Sequence, residues 1–434
     1  MNILLVNPPN SGRSIPEERY GITSLKQIFR GEPLALEELA GNLVDHDVII
    51  LDLKVEPEGL AAQLDDQRPD VVGITGVTCE ANTVLQLAAQ VKRRLPSTCL
   101  VVGGIHASND PEFFNRPDVD YIVCGLGKKS FAELVGQLAI SADREFTPPP
   151  GIARTTPGRP LRALASRATQ PDLVEDRPPA YHLVQRYRPH YRLETLGITM
   201  GFVASAFGCP HRCSFCSVQG QTGGRYLAKS VATVLRDITL LDGVPVIRFV
   251  DANTFGDMRR AEELGRALLA GSFARHYLAD IRADTVVRHP ELLALWKQAG
   301  LRAVIIGFED VVDANLQAMN KGTQAQANRE AVALLKELGI TIVGDFIISP
   351  DYDEDDFARL EDYLAETAID LPMITVLTPL PGTDLHRQLA PRIVNSDLDY
   401  YTLTNAVTRT RLAEEQFYIR YAQLLANAHQ HARI

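Results

Sequence analysis

Cysteine is scarce in this chain, with six in 434 residues. Tryptophan occurs once, at Trp296, and excess positive charge is missing: 44 Lys and Arg face 54 Asp and Glu, a net charge of −10. Each shortage excludes something. The charge balance gives no electrostatic ground for a nucleic-acid partner. Cys79, Cys99 and Cys124 sit in or beside apolar runs, so they read as buried thiols rather than as a disulfide framework. A lone tryptophan reads as core packing. The start of the chain, Met1–Pro9, is a short apolar run ending in prolines, with no basic head. It is too short for a secretory signal or a membrane span, so no transmembrane segment is expected and a reducing cytoplasm is the expected location. The remaining composition, 45% hydrophobic and 23% charged, is that of a soluble globular protein. The length predicts two or three domains.

The other three cysteines stand together. Residues 209–216 read Cys209-Pro-His-Arg-Cys213-Ser-Phe-Cys216, and no cysteine follows. Three thiolates on so short a loop can hold three irons of one [4Fe–4S] cube and leave the fourth iron open. The competing readings are a zinc site, a disulfide and unligated thiols. Zinc usually pairs two CxxC knuckles or adds histidines at fixed spacing, and His211 lies inside the loop, poorly placed to join the same ion. A disulfide between such close cysteines does not suit a chain without a secretory signal.

Around this loop, apolar strand-like runs alternate with amphipathic stretches. The first set is Ile3–Asn7, Val48–Leu53, Val71–Thr75, Cys99–Gly103 and Tyr121–Cys124, with helical patterns at Leu34–Leu43 and Ala81–Leu95. Such alternation predicts a parallel sheet covered on both faces, with ligands at the carboxyl ends of its strands. Those ends are Gly73-Ile-Thr75-Gly-Val77-Thr78, Gly103-Gly104-Ile-His106-Ala-Ser108 and Gly125-Leu-Gly127. Small residues at three successive ends leave room for a bulky group near the backbone; the competing reading is tight turns. A Pro- and Arg-rich stretch, 147–192, reads as a linker that wraps rather than packs.

From residue 193 to 390 the pattern predicts six parallel strands of a partial barrel. The runs Thr199–Ala206, Val246–Val250, Tyr277–Ile281, Ala303–Ile306, Thr341–Val343 and Met373–Leu377 carry it, with helices such as Pro290–Ala299 and Ala327–Leu338 between. Polar residues close the strands: Asp251, Arg282, Glu309 and Asp345. For single carboxylates helix capping is the alternative, and for Arg282 a structural ion pair. Tyr352–Asp356 reads as a solvated helix start. The tail, 391–434, predicts a small, mostly helical cap with an amphipathic helix near Ala413–Ala428. Tyr400, Tyr401 or Asn405 would touch a substrate there, unless they only pack.

The cysteine loop resembles that of the radical S-adenosylmethionine (SAM) superfamily. The N-terminal region resembles the cobalamin-binding domain of its B12-dependent class. Thr75-Gly-Val77 matches the S/T-x-L/V strand end, and Gly103-Gly104-Ile-His106-Ala matches the GGxHA form. Glu32-Pro-Leu-Ala-Leu-Glu, residues 377–383 and the Tyr-rich tail look most like the hopanoid C-3 methylase branch. Two departures stand out. Gly125-Leu-Gly127-Lys128 replaces Gly-Glu-Gly-Glu, and the Asp-x-His-x-x-Gly loop is absent, with no histidine in Asn10–Gly31. The resemblance implies an α/β chain: a Rossmann-like cobalamin-binding domain (1–146), a linker, a partial (β/α)6 radical SAM barrel and the helical cap. It implies cluster ligands Cys209, Cys213 and Cys216. It implies SAM contacts from Phe215, Asp251, Arg282 and Glu309. It implies cobalamin contacts from Thr75, Val77, Gly103, Gly104, His106, Gly125 and Gly127. The activity implied is a C-methyltransferase that moves a methyl from SAM through methylcobalamin to an unactivated carbon of a small molecule. An electron donor such as flavodoxin or ferredoxin would feed it. The alternatives are a cyclase, ring-contracting or oxidative enzyme with the same cofactors, and a non-enzymatic redox or cobalamin sensor.

Overall fold

The computed structural model describes the chain except for residues 24–30, 142–143, 162–167, 194–197, 272, 431 and 433–434. The first sheet contains β1 (Asn2–Asn7), β2 (Asp47–Asp52), β3 (Val71–Ile74), β4 (Cys99–Val102), β5 (Tyr121–Val123) and β6 (Ile152–Arg154). Its order is β2-β1-β3-β4-β5-β6, parallel except for β6. The strand interiors are apolar on both sides, as in Ile3–Val6 and Cys99–Val102, because both faces are covered. Alternate residues join two separate cores. Ile3, Leu5, Val71 and Val101 pack with the helices Leu34–Ala40 and Lys128–Ile140. Leu4, Val6, Val72 and Leu100 pack with the helix Ala81–Arg94. The strand order reverses direction between β1 and β3, and a crevice opens there at the carboxyl ends.

The second sheet holds β7 (Arg192–Leu193), β8 (Ile198–Val203), β11 (Val246–Phe249), β12 (His276–Ile281), β13 (Leu301–Glu309), β14 (Thr341–Ile348) and β15 (Leu371–Val376). Between β8 and β11 lies a two-stranded antiparallel pair, β9 (Ala206–Phe207) and β10 (Leu227–Ala228). The large sheet runs β15-β14-β13-β12-β11-β8-β7, and its six long strands are parallel. One face, with Ile247, Phe249, Tyr277, Ala279, Val304 and Ile306, packs against helices. Trp296 anchors that layer: it is fully buried, donates to the Ala261 carbonyl at 2.9 Å and packs on Phe255. The other face, with Leu278, Ile305, Val343, Leu371 and Met373, lines the concave side of a half-barrel. The run Thr341–Val343 proves to continue to Ile348 as one strand, β14.

Three expectations change. The connector packs instead of wrapping. Its 3-10 stretch Tyr181–His190 buries Tyr181, Val184 and Tyr187, and Tyr191 follows them inward. Tyr181 bonds the Phe202 carbonyl at 3.0 Å and Tyr191 bonds Asp52 at 2.9 Å, while Arg188 forms a buried ion pair with Glu32. Those inward residues recur every three or four positions, a period hidden among prolines and arginines. Tyr352 is no surface residue either: it is buried and donates to Asp310 at 2.7 Å. The helix Glu354–Thr367 that follows does start in solvent, with an Asp353–Asp356 capping box. In the tail, Asn405 is buried and fully committed. It accepts from Ile15 N at 2.8 Å and donates to the Arg13 and Tyr400 carbonyls. Tyr400 bonds Glu18, and Tyr401 bonds the Asn395 carbonyl. Tyr400 and Asn405 thereby clamp the loop after β1.

The two sheets are joined by buried charge. Glu38 of the first domain pairs with Lys128 at 2.6 Å and with Lys229 of the second at 2.5 Å; Lys229 also meets Asp237 at 3.1 Å. Among the described residues no helix is long and apolar enough to cross a membrane.

Candidate functional site

The cysteine loop leaves the carboxyl end of the first barrel strand, β8. Gly208 turns it at φ +77°, where a Cβ would lie 2.0 Å from the Arg225 carbonyl oxygen; only glycine fits. The loop is held from both sides. Ser214 N donates to the Met319 carbonyl and Leu385 N to the Ser214 carbonyl, each at 2.9 Å. Asn320 holds the Arg212 carbonyl at 2.6 Å. Cys209, Cys213 and Cys216 are free and half-buried. Burial raises the thiol of Cys213 and pushes that of Cys216 up to about 11, while Lys321 and Arg282 pull against it at Cys213. Iron ligation removes the proton from such a thiol outright. Among the described residues no three His, Cys, Asp or Glu side chains gather tightly enough for one metal ion. Three thiolates on one short loop are the donor set a cube needs, one to each of three irons.

Next to the loop stand the charged strand ends. In β13 the register shifts between Gly307 and Glu309, and Glu309 adopts φ +64°. A bulge of this kind re-aims a side chain. Here it brings Glu309 to Lys321 Nζ at 2.5 Å. Gly307 is required for this, since a Cβ there would lie 2.4 Å from Glu309 Oε1. Arg282 holds Asp284 at 2.8 Å and the Lys321 carbonyl at 2.6 Å. Glu309, Lys321 and Arg282 thus form one buried, paired group facing Cys213. Phe215 is half-buried on the loop itself. The expectation for Asp251 changes. It is buried and already accepts from Ser205 N at 2.7 Å, Ser205 Oγ at 2.6 Å and Ala206 N at 2.9 Å. It positions the start of the cysteine loop.

The first sheet presents a different surface. Gly104 takes φ +100° and ψ −170°, a region essentially reserved for glycine. A Cβ there would lie 2.6 Å from Thr75 Oγ1. Gly125 and Gly127 also have positive φ, whereas Gly103 has only ordinary contacts. Val77 leaves 44% of its surface open. His106 does not face this surface. Its ring is buried edge-on against Phe113 and Phe114, both nitrogens lack partners, and burial lowers it to about 4. A cavity of about 510 Å³ opens beyond the ends of β1 and β3, between the domains. Ser11, Arg13, Lys54, Val77, Met373 and His429 are among its walls.

Sequence reasoning missed Asn109, which joins the halves, and Lys321, which pairs with Glu309 inside the second. Asn109, just after the Gly-Gly turn, donates to the Ser217 carbonyl at 2.9 Å, and Gly220 and Gly382 lie so close to it that neither has room for a Cβ. Lys321 lies beyond a helix from the strand it serves. Neither carries a local signal.

A family model described as B12 binding domain matches residues 26–135, and one described as Radical SAM superfamily matches residues 203–364. Hopanoid C-3 methylase of Methylococcus capsulatus is 29% identical over 414 residues, 93% of this chain and 78% of that protein. An anaerobic magnesium-protoporphyrin IX monomethyl ester cyclase of Synechocystis is 26% identical over 80% of this chain and 68% of its own. Among solved structures, the radical SAM methyltransferase TsrM of Kitasatospora setae has a TM-score of 0.71 at 19% identity, covering 99% of this chain and 88% of that one. The cobalamin-dependent radical SAM enzyme OxsB has a TM-score of 0.72 at 17% identity, covering 97% and 66%. The two model matches fall on the two sheets, and the same two-sheet fold recurs in these structures. The chain is an enzyme that carries a B12 binding domain over residues 26–135 and a radical SAM domain over residues 203–364.

Proposed function

We propose that this enzyme is a C-methyltransferase acting on an unactivated carbon of a small molecule. One observation carries the reading. The carboxyl ends of both sheets meet at the segment after Cys216, through the Asn109–Ser217 bond and through Gly125, where a Cβ would lie 3.3 Å from the Gln221 carbonyl. A cluster loop and a glycine-lined face then share one cleft, as transfer between two cofactors requires. SAM on the open iron of a [4Fe–4S] cube, with cobalamin as methyl carrier, supplies homolytic C–H activation and a transferable methyl group.

The protein's part is positioning. Cys209, Cys213 and Cys216 would hold the cube. Glu309 and Arg282 offer an acceptor and a donor beside it for the polar ends of SAM. Thr75, Val77, Gly103, Gly104, Gly125 and Gly127 let a flat ligand approach the backbone. A one-electron donor of flavodoxin or ferredoxin type would complete the cycle, in a reducing cytoplasm that preserves the cluster. The cyclase relative supports a second reading, with the same cofactors and no methyl transfer. Under strong reductant, methyl transfer yields S-adenosylhomocysteine alongside deoxyadenosine. Deoxyadenosine without S-adenosylhomocysteine selects the second reading, and no SAM turnover at all selects a sensor.

A further inference from the structure

The concave side of the half-barrel changes character along its strands. Its lower part is mostly apolar: Met200, Phe202, Leu278, Ile305, Val343 and Leu371 line a cavity of about 220 Å³, with Arg248, His276 and Arg302 also among its walls. Two residues beyond Val343, about 6–7 Å along the strand and on the same face, stands Asp345. Its strand neighbours are Gly307 and Met373. Gly307 has no side chain to fill the space on one flank. Met373, on the other, also borders the larger cavity between the domains. Asp345 therefore stands on the concave face two residues above the apolar floor, beside Met373.

The charges around it are already paired with one another. Arg248 pairs with Asp280, Lys321 with Glu309, and Asp284 with both Arg282 and Arg288. Among the described residues the carboxyl of Asp345 has no hydrogen bond and no ion pair. Met373 and Thr375 of β15 bring no charge to it. None of these cations is bonded to Asp345, which leaves its carboxyl open to an incoming group.

We propose that Asp345 binds a protonated amine of the substrate, whose apolar part fills the floor of the half-barrel. This rests on the reading of the chain as a radical SAM enzyme with a small-molecule substrate. Burial, with Glu309 and Asp280 adding to it and Lys321 and Arg248 opposing, pushes the Asp345 carboxyl up to about 8. At neutral pH the free site is protonated, and an ammonium ion entering it expels that proton to solvent. A carboxylate–ammonium pair then forms in a partly dry site, where charge-assisted bonds are strong.

The test uses n-hexylammonium and hexan-1-ol as probes, added to enzyme loaded with cluster, cobalamin and SAM, with binding followed by calorimetry. Hexylammonium should bind at least about tenfold more tightly than the alcohol, with a proton released and affinity rising up to about pH 8. Asp345→Asn should abolish that preference and leave SAM affinity unchanged. Asp345→Ser carries the same comparison should the amide variant fail to fold. Equal binding of the two probes, binding of neither, or a loss of SAM affinity in Asp345→Asn with the amine preference intact would each overturn the proposal. Deoxyadenosine formation is scored separately. Enzyme that cleaves SAM but ignores the amine refutes only the Asp345 assignment, whereas enzyme that never cleaves SAM refutes the underlying reading.

Discussion

The two sheets turn their carboxyl ends toward one cleft and furnish them in opposite ways. The first offers glycines, a hydroxyl and an exposed valine at Thr75, Val77, Gly104, Gly125 and Gly127. The second offers thiols and a paired carboxylate and cations at Cys213, Glu309, Lys321 and Arg282. The contrast follows from what each must hold. A large flat ligand is gripped by shape and backbone, so side chains must be absent. A small zwitterion on an iron is gripped by charge, so side chains must be present and already oriented.

The most severe break should come on the charged side. Replacing Cys209, Cys213 and Cys216 together by Ala should remove all iron, about four atoms per chain in the intact enzyme, and abolish deoxyadenosine formation. Cobalamin should stay bound, because its face uses none of these residues. Iron retained in the triple variant would remove the cluster assignment.

The matching break on the other side is Gly104→Ala. The new Cβ meets Thr75 Oγ1 at 2.6 Å, and the backbone conformation costs a non-glycine residue ~1–3 kcal/mol. Cobalamin retention after desalting should fall by about tenfold while iron content holds. Unchanged cobalamin absorbance would mean that this turn is structural only.

A smaller effect is expected at Glu309→Ala. Losing a charged acceptor is worth ~1.5–3 kcal/mol, about ten- to a hundredfold in SAM affinity by calorimetry. The variant also leaves Lys321 buried without its partner, so Glu309→Gln, which keeps a hydrogen-bond acceptor, should lose less. Equal losses in the two variants would assign the effect to folding rather than to SAM.

How much of this was legible in the sequence differs between the sheets. The strands and their ends follow from apolar runs such as Val71–Ile74 and from the residues that stop them, but their order in the sheet does not. The cysteines needed only their spacing. Glu309 was readable as a strand-end carboxylate, but not its re-aiming, which depends on a register shift between two strands. Asp251 misled because a carboxylate that caps a neighbouring loop has the same local pattern as one that faces a ligand. Asn109 meets Ser217 across 108 residues, a pairing that only the docking of two domains creates. The connector hid a period of three or four, Tyr181, Val184, Tyr187 and Tyr191, inside a composition typical of linkers.

The least effect is expected from histidine removal, and it bears on how the glycine-lined face treats a metal. The loop after β1 has no histidine. His46 precedes β2, whose first residue pairs with Asn2, so it lies at the far end of the sheet from the cleft. His106 is sealed against Phe113 and Phe114. Among the described residues only His429, unforeseen from the sequence, reaches the interdomain cavity, and its Nε2 sits 3.1 Å from the Pro372 carbonyl. With that nitrogen donating to the carbonyl, only Nδ1 could serve as a metal donor, which makes His429 the histidine to test. The expectation is that no protein imidazole would ligate a bound cobalamin. His106→Ala and His429→Ala should leave the cob(II)alamin EPR spectrum unchanged and free of nitrogen superhyperfine splitting. Splitting in the wild type that disappears in His429→Ala would name that residue as a ligand. The two sheets would then differ less than their surfaces indicate.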